Sequence, residues 1–99
     1  MKTRFAGPAR QQAQRIDRWW RTNRPAAKDL FALELADARA RIAATPDVGS
    51  PFSERQGLVV RRVLLSKTSH HVYYEIDREN DMATIIAVWG TPRGQGPKL

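Results

Sequence analysis

Three short runs rich in β-branched and aromatic residues fill the last third of the chain and restrict its fold more than any other feature. They cover residues near 58–66, 70–77 and 83–90, and short polar stretches separate them. Runs of this length joined by turns pair consecutively, so the pattern predicts a three-stranded antiparallel meander. The third run is apolar on both faces until Trp89, which predicts an inner strand buried on both sides.

Two amphipathic helices are predicted before the meander, over residues 9–23 and 26–44. Apolar residues recur at helical spacing in both of them, at Ala9, Ala13, Ile16 and Trp20 and at Ala27, Phe31, Ala38 and Ile42. Pro25 disfavours helical geometry at Arg24 and separates the helices, which therefore form an antiparallel hairpin. We expect the hairpin to pack on one face of the meander, with Trp19 and Trp20 in the core rather than stacked on a ligand.

The two ends of the chain complete the prediction. Residues 2–6 precede a Gly-Pro break and predict a short edge strand, and residues 45–51 predict a loop after the second helix. Residues 91–99 contain no acid and predict a flexible basic tail. The fold class is therefore α+β, and residues 1–99 are expected to form a single domain.

The charge of the chain restricts its partners. Lys and Arg number 17 against 10 Asp and Glu, which gives a net charge of +7 and favours a polyanionic or acidic partner. Cys is absent and His occurs twice, so neither a disulfide framework nor a metal site is expected, and no cofactor is predicted. The chain has no apolar run of membrane-spanning length, so we expect a cytoplasmic protein without a membrane partner.

Several stretches resemble one protein family. Residues 19–27 read WWRTNRPAA, residues 41–49 read RIAATPDVG, residues 71–76 read HVYYEI and residues 86–90 read IAVWG. In this order they resemble the ParE branch of the RelE/ParE toxin superfamily of bacterial type II toxin–antitoxin systems. The resemblance covers nearly the whole chain and implies an N-terminal strand, a helical hairpin and an antiparallel sheet. It also implies a growth-inhibiting toxin that an antitoxin encoded beside it keeps silent.

The resemblance leaves the target open, because the RelE branch cuts mRNA in the ribosomal A site and the ParE branch poisons DNA gyrase. The resemblance implies three catalytic candidates for the RelE function: Arg62 lies where that branch has a basic residue, His71 stands where it commonly has an Arg, and Arg93 is near the position of a second Arg. RNA cleavage also needs an acid for the leaving oxygen. The RelE branch supplies it with a C-terminal Tyr or His, and neither residue follows Trp89 here.

Three hypotheses therefore stand. The first is a ParE-like toxin that inhibits gyrase by binding, with candidate target contacts at Arg61, Lys67, His70, Arg93 and Lys98. The second is a ribosome-dependent endoribonuclease that uses the three catalytic candidates, and the third is a basic domain that only binds nucleic acid. In the first two, an acidic and partly disordered antitoxin segment is the expected partner, and Leu30 and Leu33 form a second apolar margin that is its candidate contact.

Overall fold

The computed structural model describes residues 1–91, 97 and 99, and a five-stranded mixed sheet is its central layer. The strands are β1 Lys2–Phe5, β2 Ser50–Arg55, β3 Leu58–Leu65, β4 His70–Asp77 and β5 Met82–Gly90. Their spatial order is β1-β5-β4-β3-β2, with β1 parallel to β5 and every other pair antiparallel. The predicted meander is confirmed as β3, β4 and β5, and β5 is the predicted inner strand.

The first departure from the prediction is β2, which the sequence pattern assigned in part to a loop. It pairs with β3 across a turn at Gln56 and Gly57, whose φ angles of 52° and 79° suit a two-residue hairpin. The register shifts between Pro51 and Ser53. A proline and a bulge are tolerated in an edge strand because its outer side makes no ladder hydrogen bonds. They also disrupt the alternation of apolar and polar residues by which a strand is recognised in the sequence.

The helices are α1 Gly7–Asn23 and α2 Leu30–Ala44. The first begins slightly earlier than predicted, with Pro8 in its first turn. The second begins later, because Pro25–Ala27 forms a 3₁₀ turn that reverses the chain before α2 starts. Both helices pack on one face of the sheet as predicted, and none of the helices within residues 1–91 combines the length and apolar character needed to cross a membrane.

The main core lies between the helices and the sheet. It joins Ala9 and Ala13 of α1 with residues of α2 and of the three inner strands, among them Phe31, Ala38, Ile42, Val72, Tyr74 and Ile85. Trp20 packs against this core as predicted. The prediction for Trp19 is wrong, because its side chain is 48% exposed. Helical periodicity assigned Trp19 to the margin of the stripe, and the margin at the last turn of α1 lies at the surface.

A smaller apolar cluster lies on the opposite face of the sheet. Val60, Tyr73, Ile86 and Ala87 form it, with Phe52 and Trp89 packed around them. A second register shift, between Tyr73 and Tyr74, leaves Ile86 as the extra residue on β5. The alternation predicted for β4 is confirmed, since Tyr74 enters the main core and Tyr73 this second cluster.

Candidate functional site

A groove of about 700 Å³ lies between α1 and α2, and Thr3 and Phe5 of the edge strand β1 line it as well. Its wall on α2 consists mainly of small apolar side chains, namely Ala32, Leu35, Ala36, Ala40 and Ala43. Small side chains let the backbone of a third helix approach closely, because the distance between packed helices depends on the residues at the contact. The groove therefore has the shape of a docking site for a helix.

The rim of this groove carries two arginines and one acid: Arg10, Arg39 and Asp17. Arg39 is fixed, since its Nε donates to Thr3 Oγ1 at 2.7 Å and its guanidinium lies 5.3 Å from the ring centre of Phe5. Asp17 accepts a hydrogen bond from Arg21 at 3.0 Å, which offsets its charge. The rim is thus basic in balance and favours an acidic partner.

Of the two leucines predicted to contact the antitoxin, Leu33 lies next to the groove, and Leu30 lies one helical turn before Leu33. Leu33 is 66% exposed and Leu30 is half-buried, and the described lining of the groove includes neither. Leu33 precedes Ala36 by one helical turn, so the two side chains are neighbours on the surface of α2. Leu33 thus extends the apolar surface of the groove toward the start of α2.

Two of the three nuclease candidates lie together on the sheet face away from the helices. Arg62 of β3 pairs with Tyr73, and His71 of β4 pairs with Leu64, so Arg62 and His71 share that face. The guanidinium of Arg62 lies 5.3 Å from the ring centre of Phe52. Burial lowers the pKa of His71, and the positive charge of Arg62 lowers it further. Arg93, the third candidate, lies outside the described residues.

This pair of side chains supports only part of the chemistry of RNA cleavage. A neutral imidazole beside a guanidinium is able to accept a proton next to a bound phosphate. Tyr73, the nearest phenol, is 1% exposed and packs against Phe52 with ring centres 4.8 Å apart, so it is not available as an acid. No group of acids and histidines among the described residues is arranged to hold a metal ion.

The structure separates the residues predicted to contact the target. Arg61 is used internally, because its Nη1 donates to the carbonyl of Gly49 at 2.7 Å and its Nη2 lies 3.5 Å from Asp47 Oδ1. Lys67 and His70 lie at the other end of β3, around the turn into β4, where Lys67 is exposed and His70 packs on Phe31 at 5.4 Å. Arg93 and Lys98 lie outside the described residues.

The reasoning from sequence missed the groove, although a signal for it is present. Ala32, Ala36 and Ala40 recur every four residues on α2 and form a stripe of small side chains beside the core stripe. Alanines are also good helix formers, so the pattern assigns them to helix formation, and only Leu30 and Leu33 are predicted to form a partner surface on α2. A second stripe on a helix that is already packed indicates a surface for another element.

Comparisons with known proteins agree with this fold. Residues 3–93 match the family described as ParE toxin of type II toxin–antitoxin system. A chromosomal ParDE system from P. aeruginosa has a similar structure, with a TM-score of 0.69 and 14% identity over 91% of this chain and 95% of that chain. The RelBE2 toxin–antitoxin complex from Mycobacterium tuberculosis gives a TM-score of 0.56 and 22% identity over 88% of this chain and 86% of that chain. A search of curated proteins finds no match.

Proposed function

The chain belongs to the ParE toxin family of type II toxin–antitoxin systems, and from this premise we propose that it inhibits DNA gyrase by binding and is silenced by a cognate antitoxin. The observation that carries the choice of target is the incomplete acid–base set around Arg62 and His71. Tyr73 is buried there, and neither Tyr nor His follows Trp89 in the sequence. A toxin that acts by binding needs no such set.

The antitoxin segment that we propose is an acidic amphipathic helix seated in the groove between α1 and α2. The alanine wall favours close approach of a helix, and the basic rim favours carboxylates on its flanks. Leu30 and Leu33 extend the contact beyond the groove. A segment that folds on binding covers a large surface, which suits silencing of a small toxin.

The target contacts remain part of this proposal. Lys67 is exposed in the β3–β4 turn and carries a positive charge that a gyrase surface is able to meet. His70 beside it, and Arg93 and Lys98 in the C-terminal region, complete the proposed set. Arg61 contributes less, because its guanidinium is held by Gly49 and Asp47.

A ribosome-dependent endoribonuclease is the second candidate function, and one observation favours it. Arg62 and His71 share a sheet face and are close enough for the charge of Arg62 to lower the pKa of His71. A phosphate bound between them would meet one cation and one neutral base. In this reading Arg93 supplies a second cation.

One pair of assays separates the two functions. Purified chain is added to gyrase and relaxed plasmid, and in parallel it is expressed in cells whose mRNA is read by primer extension. We expect loss of supercoiling and accumulation of cleaved DNA, with mRNA intact and with Arg62→Ala and His71→Ala variants still active.

The opposite result would reverse the ranking. If gyrase is unaffected while mRNA is cut at codon boundaries, the nuclease function replaces the gyrase proposal. Under that function each of the two substitutions should slow cleavage about a hundredfold or more, because each removes a group that stabilises or activates the transition state.

A further inference from the structure

A second depression, of about 460 Å³, lies on the other flank of α1, between this helix, the β3–β4 turn and the end of β5. The chain has three tryptophans, and all of them line it: Trp19, Trp20 and Trp89. We call it the three-tryptophan cleft. Different residues of α1 line the groove and the cleft. Their positions around the helix axis place the two depressions on opposite flanks of α1.

Trp19 is the exposed aromatic residue of the cleft. Its side chain is 48% exposed, whereas Trp20 packs against the main core. The two indole rings meet edge to face, with centroids 5.7 Å apart and planes at 75°. This contact fixes the orientation of the Trp19 ring, which lies at the surface and is not part of the main core. A fixed, half-exposed indole is a platform on which another flat ring can stack.

Positive charge surrounds this platform. Arg15 lines the cleft, and the guanidinium of Arg24 lies over the Trp19 ring, 5.2 Å from its centre, so a base stacks either on the other face of the ring or in place of this guanidinium. Within residues 1–91, neither Arg15 nor Arg24 makes an ion pair, and the neighbouring acids are engaged elsewhere. Arg21 binds both Asp17 and Asp29 at 3.0 Å, and Glu34 accepts hydrogen bonds from the β3–β4 turn. The cleft is thus left with uncompensated cations.

We propose that the three-tryptophan cleft binds single-stranded nucleic acid, with one base stacked on Trp19 and the adjoining phosphates paired with Arg15 and Arg24. Exposed aromatic rings combined with a basic groove are the features by which proteins bind single strands without reading their sequence. An acidic peptide would engage the cations but needs an additional aromatic or apolar side chain for the indole, whereas every nucleotide carries both a phosphate and a flat ring, so we favour a single strand. This site does not depend on gyrase being the target.

The experiment is a titration of the full-length chain with an oligothymidylate of about 12 nucleotides, a length within the usual range for such sites. Because all three tryptophans line the cleft, stacking should quench the intrinsic fluorescence of the protein. Anisotropy of a labelled oligonucleotide gives the affinity independently. Raising the salt from about 50 to about 200 mM should weaken binding several-fold, since two phosphate contacts release their counterions.

Three variants in the cleft and one control variant locate the site. Trp19→Ala should weaken binding on the order of tenfold, the usual effect of removing one stacked base contact, while Trp19→Phe should keep most of the affinity. Arg15→Gln should weaken binding and reduce its salt dependence. Arg41→Gln removes the same charge from α2, where Arg41 is paired with Asp37, and should leave the affinity nearly unchanged. Circular dichroism checks that each variant is folded.

Three results would overturn the proposal. If the Trp19→Ala variant binds the oligonucleotide as tightly as the unmodified chain, binding depends on bulk charge alone, and stacking on Trp19 is excluded. Absence of binding at about 50 mM salt, where the counterion term is favourable, excludes the site altogether. Polyglutamate that binds as tightly and quenches as strongly as the oligonucleotide would assign the cleft to an acidic protein partner instead.

Discussion

At the scale of single residues, Gly49 lies where the surrounding atoms leave no space for a side chain. It is buried where the chain leaves the 3₁₀ turn Pro46–Val48 and enters β2. Its N–H donates to Tyr74 Oη at 2.9 Å, and that hydroxyl donates to the carbonyl of Pro46 at 2.6 Å. These bonds attach the turn to β4 and satisfy a phenol that is buried in the core.

The Gly49→Ala substitution should therefore lower the free energy of unfolding. A Cβ at this position would lie 2.7 Å from Tyr74 Oη and 2.8 Å from the backbone oxygen of Arg62, which cannot move without shifting β3. Overpacking of this kind costs about 2–3 kcal/mol, measurable by urea denaturation. Gly7→Ala is the matched control, since nothing lies within 4 Å of its Cβ and the change should be neutral or mildly stabilising. Equal stability of the two variants would contradict this account.

Trp19 shows why single residues of the site were hard to predict. Helical periodicity assigns a residue to a face of a helix, but it does not tell where the helix extends past the element that it packs on. Trp19 and Trp20 were both assigned to the core, and only Trp20 packs against it. The sequence predicts that Arg61 is a positively charged residue on a strand. Only the fold shows that residues 46–49 come close enough for the Gly49 carbonyl to accept a hydrogen bond from Arg61.

At the scale of elements, one side chain connects α2 to the sheet. Glu34 accepts hydrogen bonds from the backbone N–H of Lys67 at 2.8 Å, the N–H of Thr68 at 3.1 Å and Thr68 Oγ1 at 2.6 Å. Thr68 is buried, so water cannot easily replace these bonds. The carboxylate thus fixes the β3–β4 turn, which forms one wall of the three-tryptophan cleft.

The Glu34→Gln substitution should weaken this connection. The amide keeps the size of the side chain but loses its charge and turns one acceptor into a donor that faces N–H groups. We expect a loss of about 1.5–3 kcal/mol in the free energy of unfolding and faster hydrogen exchange at Thr68. Asp37→Asn on the same helix is the control, because its exposed pair with Arg41 contributes only about 0.5 kcal/mol. A Glu34→Gln variant as stable as Asp37→Asn would show that the turn holds its shape without the carboxylate.

The elements differ in how well the sequence predicts them. β3 and β4 follow from apolar and aromatic alternation, because a strand with one buried face must keep its period of two, and β5 follows from its continuous apolar run, which is typical of a strand buried on both faces. β2 breaks the pattern with Pro51 and a bulge, and its pairing depends on β3 rather than on its own residues. The late start of α2 was also not predictable from the local residues. The alanines at 26 and 27 favour a helix, but the chain reversal needs the tighter 3₁₀ turn that Pro25–Ala27 forms.

At the scale of the whole molecule, α1 borders both of the binding surfaces that we propose. One flank borders the groove that we assign to the antitoxin, and the other borders the three-tryptophan cleft. The net charge of +7 acts over both and attracts acidic partners. An antitoxin helix in the groove is therefore able to bind without occupying the cleft.

The Ala36→Glu substitution tests the assignment of the groove. The longer acidic side chain should obstruct the alanine wall and repel an acidic helix, so affinity for the cognate antitoxin should fall about a hundredfold or more. Ala36 is exposed, and the fold should be unaffected. Ala44→Glu introduces the same change at an exposed position outside the groove lining and should bind normally. Calorimetry with purified antitoxin gives both affinities, and equal values would place the antitoxin elsewhere.

The parallel pairing of β1 with β5 determines when this fold can be completed during synthesis. Lys2 pairs with Met82 and Phe5 with Ile85, so partners from opposite ends of the chain must meet. Closing so long a loop is entropically slow compared with forming the hairpins of the meander. Residues 82–85 must leave the ribosome before this edge of the sheet can close. Until then β1 has no strand to join, and the nascent toxin remains incompletely folded.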